Sequence, residues 1–361
     1  MNTRRRLLVP IAAAALCLVA PIASAFDHGA DLSSLPRLEA HGARFHDATS
    51  EADAMSLLQR VGVDAVRLRL WHTPADSTSA LPAVLAMARR AHALGMRVLL
   101  DLHYSDTWAD RAHQEPPLAW RGLAFKALCD STERWTRDVV HDFAAQGTPP
   151  ALVQIGNEID HGMLGDAGRL TGDESGSWNH FATLLTRASR GVHTAGVDSV
   201  RVLVHVATGG DSSACRWFFD HLLAQQVPFD AIGVSYYPLW HGGIPALRGN
   251  LAMLARRYRR PVYVVETAYP WTLRWFDDER NIMGDTHALL PGLEASPDDQ
   301  ATFLRAVESA LQSLPDARGG GVYWWEPAWV AAQGERSPWE NCTLFDSTGT
   351  RLPAARILGG R

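Results

Sequence analysis

Along the chain, short apolar runs rich in β-branched residues alternate with longer stretches of helical period. The runs predict eight strands, at residues 29–31, 65–69, 97–102, 152–155, 201–206, 231–235, 262–266 and 321–325. Several, such as Val98-Leu99-Leu100 and Val262-Tyr263-Val264-Val265, are almost continuously apolar, as in strands of a parallel sheet covered on both faces. The segments between them read as helices. Residues 81–94 place Leu81, Val84, Leu85, Ala88 and His92 on one stripe, with Gly95 as the stop. Ser296-Pro297-Asp298-Asp299 is a helix start, and Phe303, Leu304, Val307, Leu311 and Leu314 form the buried face that follows. Strand–helix alternation repeated eight times predicts an α/β fold, a (β/α)8 TIM barrel forming one domain over residues 26–361. An open doubly wound sheet fits less well, because no glycine-rich nucleotide fingerprint follows the first strand. Residues 276–293 and 329–341 carry no clear period and are expected as long loops after strands seven and eight. In a barrel both lie on the C-terminal face, where chemistry is done.

The N-terminus changes the picture of where the protein works. Arg4, Arg5 and Arg6 precede an uncharged apolar run at 7–20, and Ala23-Ser24-Ala25 offers small residues to a signal peptidase. Residues 1–25 therefore read as a secretory signal cleaved after Ala25, and the protein as secreted or periplasmic. The run is shorter than the ~20 residues of a spanning helix, and no later stretch is apolar enough to cross a bilayer. The formal net charge is −5, and loss of the three leader arginines makes the remainder more acidic. Without basic clusters, such a chain has no evident affinity for nucleic acid or anionic membranes and suits a neutral ligand. A monomer is expected. Beyond the leader, Cys129, Cys215 and Cys342 allow at most one disulfide and show no metal-type spacing. His103 and Asp106 are not at a metal-ligand spacing, and neither an HExxH motif nor a G-x-S-x-G elbow occurs, so neither a catalytic metal nor a serine nucleophile is expected.

The chemistry concentrates at predicted strand ends. Asp31, Arg67 and Arg69, His103 with Asp106, Asn157 with Glu158, His205, Tyr236 and Tyr237, Glu266, and Trp325 with Glu326 would ring the barrel mouth. Gln154-Ile155-Gly156-Asn157-Glu158 closes strand four and Val264-Val265-Glu266-Thr267 closes strand seven, on opposite sides of that mouth. Two facing carboxyls are what glycosidic bond cleavage needs, one protonated to give a proton to the leaving oxygen and one ionised to attack. Salt bridging to nearby arginines is the bland alternative for an isolated Glu, and is less natural for two at opposed strand ends. Trp71, Trp108, Trp120, Trp240, Trp271, Trp325 and Trp329 fall at or just past strand ends. There they suit the C–H faces of sugars, whereas Trp135 and Trp217 fall in helices and read as core. Arg67 and Arg69 share a face of strand two. A buried arginine needs an anion, and Glu266 would serve. Arg67 serves a structural ion pair equally well, and Arg69, nearer the strand end, is the better site candidate.

With these residues in place, the chain resembles the endo-β-1,4-galactanases of glycoside hydrolase family 53 from Gly29 almost to Ile357. The motifs that carry the resemblance are Gly29-Ala30-Asp31-Leu32-Ser33-Ser34, Val66-Arg67-Leu68-Arg69-Leu70-Trp71, Asp101-Leu102-His103-Tyr104-Ser105-Asp106-Thr107-Trp108-Ala109-Asp110 and Val153-Gln154-Ile155-Gly156-Asn157-Glu158-Ile159. Gly233-Val234-Ser235-Tyr236-Tyr237-Pro238, Val264-Val265-Glu266-Thr267 and Tyr323-Trp324-Trp325-Glu326-Pro327-Ala328-Trp329 complete them. The resemblance implies a retaining endo-glycosidase acting on the β-1,4-galactan of type I arabinogalactan. Glu158 would be the acid/base and Glu266 the nucleophile, Asn157 would bind the hydroxyl beside the reacting carbon, and Trp325 would floor the cleaved subsite. Asp31, Arg69, His103, Asp106, Trp108, Tyr236 and Trp329 are the further substrate-binding candidates. The related alternatives are a mannan-type endo-glycosidase and a glycan-binding barrel without catalysis. Two departures stand out. Gly162-Met163-Leu164 is followed by Gly165 and Asp166 where family members often have Trp, and the loop after strand seven keeps only part of a calcium-binding pattern. Asp277, Glu279 and Asn281 are its possible ligands, for a structural calcium; no cofactor is required for catalysis.

Overall fold

A computed structural model describes residues 26–361; the predicted signal at 1–25 lies outside the described residues. Eight parallel strands close into a barrel in chain order. They are β1 (Asp27–Asp31), β2 (Ala65–Leu70), β3 (Arg97–Leu102), β4 (Leu152–Ile155), β5 (Arg201–Val206), β6 (Ala231–Tyr236), β7 (Val262–Thr267) and β8 (Gly319–Trp324). Around them run α1 (Ala54–Gln59), α2 (Leu81–Ala93), α3 (Phe125–Ala145), α4 (Ser175–His193), α5 (Ser212–Ala224), α6 (Ile244–Tyr258), α7 (Pro297–Gln312) and α8 (Ala354–Leu358). The barrel forms because each strand is apolar on both faces: one face meets the helices and the other fills the interior. Ala65, Leu99, Leu152, Leu203, Ala231, Tyr263, Val265 and Tyr323 make the inner apolar layer. Gly29 makes room in it, since a Cβ there would lie 2.2 Å from the Tyr323 ring.

Local signals explain the helices. Ser296 caps α7 by accepting from the Asp299 amide, and Phe303, Leu304, Val307 and Leu311 are its buried face. In α2 the buried residues are Val84, Met87, Ala88 and Ala91. The expected stripe is thus rotated, and His92 faces solvent. Gly95, at φ +71°, takes the left-handed turn after this helix. The three described cysteines are buried and unpaired, and no helix among the described residues is long and apolar enough to cross a membrane.

Because side chains alternate along a strand, residues two apart share the interior. Above the apolar layer the interior turns polar: Asp31, Arg67, Asp101, Gln154, His205 and Ser235 are all fully buried. That polar layer is the base of the site.

Candidate active site

Two features of the backbone deliver the glutamates. At the end of β4, Gly156 (φ +91°) and Glu158 (φ +48°) turn the chain sharply out of the sheet, which returns Asn157 to the barrel axis and sends Glu158 over the mouth. A non-glycine residue at positive φ carries strain that the surrounding contacts must hold. On β7, Tyr263 and Val265 both face inward, so strict alternation would turn Glu266 outward. A register shift between β6 and β7 pairs Val234 with Val264 but Ser235 with Glu266. That bulge brings Glu266 to the interior, the usual effect of such an irregularity beside an active site.

The two carboxyls meet at Ser235. Its Oγ lies 2.6 Å from Glu158 Oε1 and 3.5 Å from Glu266 Oε2. These two oxygens are therefore at most about 6 Å apart, near the ~5–5.5 Å spacing of retaining glycosidase carboxyls and short of the ~6.5–9.5 Å of inverting ones. Arg67 Nη1 pairs with Glu266 Oε1 at 2.9 Å, and the Tyr237 hydroxyl donates to Oε2 at 3.2 Å. The environments separate the two acids. Burial and the Glu266 charge push Glu158 up to about 8. Burial also raises Glu266, to about 7, but the Arg67 guanidinium pulls it back. Glu158 thus keeps its proton longer, the ordering an acid and a nucleophile require.

Arg67 organises the floor. Besides Glu266 it pairs with Asp31 at 2.9 Å and Asp101 at 2.8 Å, and it donates to Asn157 Oδ1 at 2.8 Å. Its charge holds the Asp101 carboxyl near 2 despite burial. His103 Nδ1 accepts from the Trp71 indole and the Ala109 amide, which leaves Nε2–H to donate to Asp101 at 2.9 Å. Asn157 Nδ2 donates to Ala109 O at 2.8 Å, fixing the side chain beneath the cleft.

The cleft has a volume of about 340 Å³ and is lined by Trp108, Asn157, Glu158, Tyr237, Trp240, Glu266, Trp325, Trp329 and Trp339, with Asp110, Ala109, Ile282 and Pro338. Trp108 and Trp329 stack with their planes 8° apart and centroids 6.4 Å apart. The structure thus brings Glu158, Glu266, Asn157, Trp108, Trp325 and Trp329 together. Other candidates stand behind this wall. Asp31 and His103 belong to the buried floor. Arg69 pairs with Glu326 at 3.4 Å and lies 3.8 Å from the centre of the Trp108 ring, so it supports that ring, and it is Arg67 that meets the carboxylate. Asp106 accepts from the Thr73 and Leu118 amides and staples a loop. Tyr236 is a correction. One residue out of register with Ser235, it points into the helical layer, where it stacks on Phe303 and donates to Gly242 O. Tyr237 takes the place in the cleft, a result that the period of two along β6 could have signalled. Trp71, Trp120 and Trp271 are also outside the cleft lining. Trp339 carried no sequence signal beyond its loop.

In the loop after β7, several of the candidate calcium ligands are engaged in hydrogen bonds. Asp277 spends one oxygen on the Glu279 amide and the other on the Ser337 amide, and Asn281 is buried against Arg274 and Glu340. Among the described residues no group of three or more His, Cys, Asp or Glu side chains could hold a metal ion, whereas calcium takes six to eight oxygens. Asn281 Oδ1 and the nearby Glu340 Oε2 are buried without hydrogen-bond partners.

Comparison with known proteins agrees with this geometry. The family model of glycosyl hydrolase family 53 matches residues 27–358. The chain belongs to glycosyl hydrolase family 53. An arabinogalactan endo-β-1,4-galactanase of Cellvibrio japonicus (strain Ueda107) is 36% identical over 364 residues, covering 95% of each chain. The solved family 53 catalytic domain of Ignisphaera aggregans superposes with a TM-score of 0.86 at 32% identity, over 94% of this chain and 97% of that one. A structure described as one of two fungal β-1,4-galactanases gives 0.81 at 30% identity, over 93% and 99%. As a family 53 member the chain is a glycosidase on a (β/α)8 barrel.

Proposed function

We propose that the protein is an endo-acting galactanase that hydrolyses β-1,4-galactosidic bonds of type I arabinogalactan with retention of configuration. The observation that carries the proposal is the Glu158–Glu266 pair, bridged at Ser235 and unequal in proton affinity. Glu266, ionised beside Arg67, attacks the anomeric carbon while Glu158 gives its proton to the departing oxygen. Glu158, now a carboxylate, takes a proton from water, which releases the galactosyl group from Glu266. Tyr237 and Arg67 hold Glu266 in line. Trp325 and the stacked Trp108–Trp329 pair present faces to the sugar rings, and Asn157 stands beside Glu158 to bind a hydroxyl. The printed names of the relatives support galactan as the polymer, and the signal-like leader supports export to where such polymers lie.

The shape of the cleft supports internal cleavage. Trp240 also borders a second hollow of about 330 Å³ with Arg111, Asp211 and His241. Arg111 in turn borders a third of about 960 Å³ that includes His161, Met163 and Gly165. Through Trp240 and Arg111 these hollows adjoin the cleft, which supports room for a polymer beyond the catalytic pair. Gly165 lines this third hollow without a side chain. Reducing ends released from β-1,4-galactan, mannan, xylan and arabinan test the proposal. Galactan should dominate, with internal cuts visible as a rapid fall in polymer length. Preferred release from mannan, xylan or arabinan would overturn the assignment.

A further inference from the structure

Ser235 Oγ lies 2.6 Å from Glu158 Oε1, 2.9 Å from His205 Nε2 and 3.5 Å from Glu266 Oε2. It has one hydrogen to donate, and His205 decides where that hydrogen can go. The ring is fully buried, and burial with the Arg67 charge nearby holds its pKa well below the usual histidine value, so it is neutral. The bond from Asn157 Nδ2 to Ala109 O turns Asn157 Oδ1 toward His205 Nδ1, at 2.9 Å. A carbonyl oxygen only accepts, and at 2.9 Å it draws the single ring proton to Nδ1 over the longer approach of the Glu158 amide at 3.4 Å. Gln154 Nε2, 3.1 Å from Nδ1, makes its short bond to Asp101 instead, at 2.6 Å. The lone pair of His205 Nε2 therefore faces Ser235. The serine hydroxyl has two acceptors, one constant at His205 and one whose strength changes with the ionisation of Glu158.

We infer that Ser235 is a positioning residue for the acid/base: its hydroxyl donates to His205 while Glu158 is protonated and turns to Glu158 Oε1 once that proton has left. Hydrogen bonds to an ionised acceptor are roughly twice as strong as neutral ones, so the change in Glu158 drives the turn. No proton leaves Ser235 or His205; one hydrogen bond replaces another. Anchoring Oε1 in the ionised state leaves the other carboxylate oxygen free to take a proton from water. The remaining groups facing Glu158 are Glu266 from β7, Asp160 and Asp110 from the loops after β4 and β3, and Tyr237 after β6. The three carboxyls disfavour its ionised form, and the Ser235 bond counters them.

The inference rests on Glu158 as acid/base and is tested by the pH dependence of kcat/KM on β-1,4-galactan for wild type, Ser235→Ala and Ser235→Thr. Losing a bond to a charged acceptor should move the basic limb of Ser235→Ala up by about one pH unit. Ser235→Thr, which keeps the hydroxyl, should hold the wild-type limb. A purely structural role would lower kcat/KM equally at every pH; an unmoved limb, a limb moved down, or equal displacement in Ser235→Thr overturns the inference. If threonine prevents folding, judged by thermal unfolding, the Ser235→Ala limb decides alone. Wild type without galactan cleavage would instead sink the functional proposal itself.

Discussion

Arg67 is the residue on which stability and catalysis depend together, and Arg67→Gln separates this account from a generic barrel. Its guanidinium is fully buried and faces the carboxylates of Asp31, Asp101 and Glu266, each within 2.9 Å. Removing one partner of a buried ion pair costs roughly 3–5 kcal/mol, because the orphaned charge remains out of water. Here three carboxylates lose one cation. The loss is limited by protonation: an orphaned carboxylate takes up a proton, at ~1.4 kcal/mol less cost for each unit the pH is lowered. The destabilisation should therefore be about 3–5 kcal/mol at pH 7 and smaller at pH 5. With roughly 1.4 °C per kcal/mol for a chain of this length, Tm should fall by about 4–7 °C at pH 7. Glu266 also loses the charge that holds its pKa down. The acidic limb of kcat/KM on galactan should move up by at least about one pH unit. Calorimetry at pH 5 and 7, with a pH–rate profile, measures both. A Tm within about 2 °C of wild type, or an acidic limb that stays in place, would refute the reasoning.

Other expectations follow from the same contacts. Glu158→Gln should abolish galactan cleavage while raising stability. The folded-state value near 8 exceeds the ordinary 4.5, so between those values the native state holds a proton that the unfolded chain has released, and native stability falls as pH rises. Gln has no such dependence. Its advantage should be near zero at pH 4 and about 3 kcal/mol at pH 7, read from denaturant unfolding at both pH values, and an advantage that does not grow with pH would contradict the burial argument. Tyr237→Phe should lower kcat on galactan about tenfold by removing a donor to Glu266. Tyr236→Phe should leave kcat alone and cost about 1 kcal/mol of stability, through its lost bond to Gly242 O; the reverse pattern would restore the earlier assignment. Chelation with EDTA should change neither Tm nor galactan cleavage, since backbone amides of Glu279 and Ser337 already hold the Asp277 carboxylate; a clear fall in Tm reversed by calcium would show that the loop holds the ion.

The barrel was legible because its strands are buried on both faces and so stand out as apolar runs. Glu158 and Glu266 were legible because each follows such a run. What escaped was decided by geometry finer than pattern. Arg67 and Arg69 share a strand face, and only depth in the barrel tells which one meets Glu266. Tyr236 and Tyr237 are adjacent, and the inward position of Ser235 assigns the cleft to the second. Simple alternation would have turned Glu266 away from the mouth, and a bulge that leaves no mark in composition brings it back. Trp339 and Asp110 come from loops whose course is set by long-range contacts. In α2 the stripe containing His92 and the stripe containing Met87 and Ala91 were both available, and packing against the barrel selected the second.

The central claim is retention through Glu158 and Glu266, and proton NMR of the first products tests it most directly. Wild-type protein digesting β-1,4-galactan should release new reducing ends first as the β-anomer, with the α-anomer growing in later by mutarotation. New ends appearing first as the α-anomer would contradict the double displacement and the close carboxyl pair on which it rests.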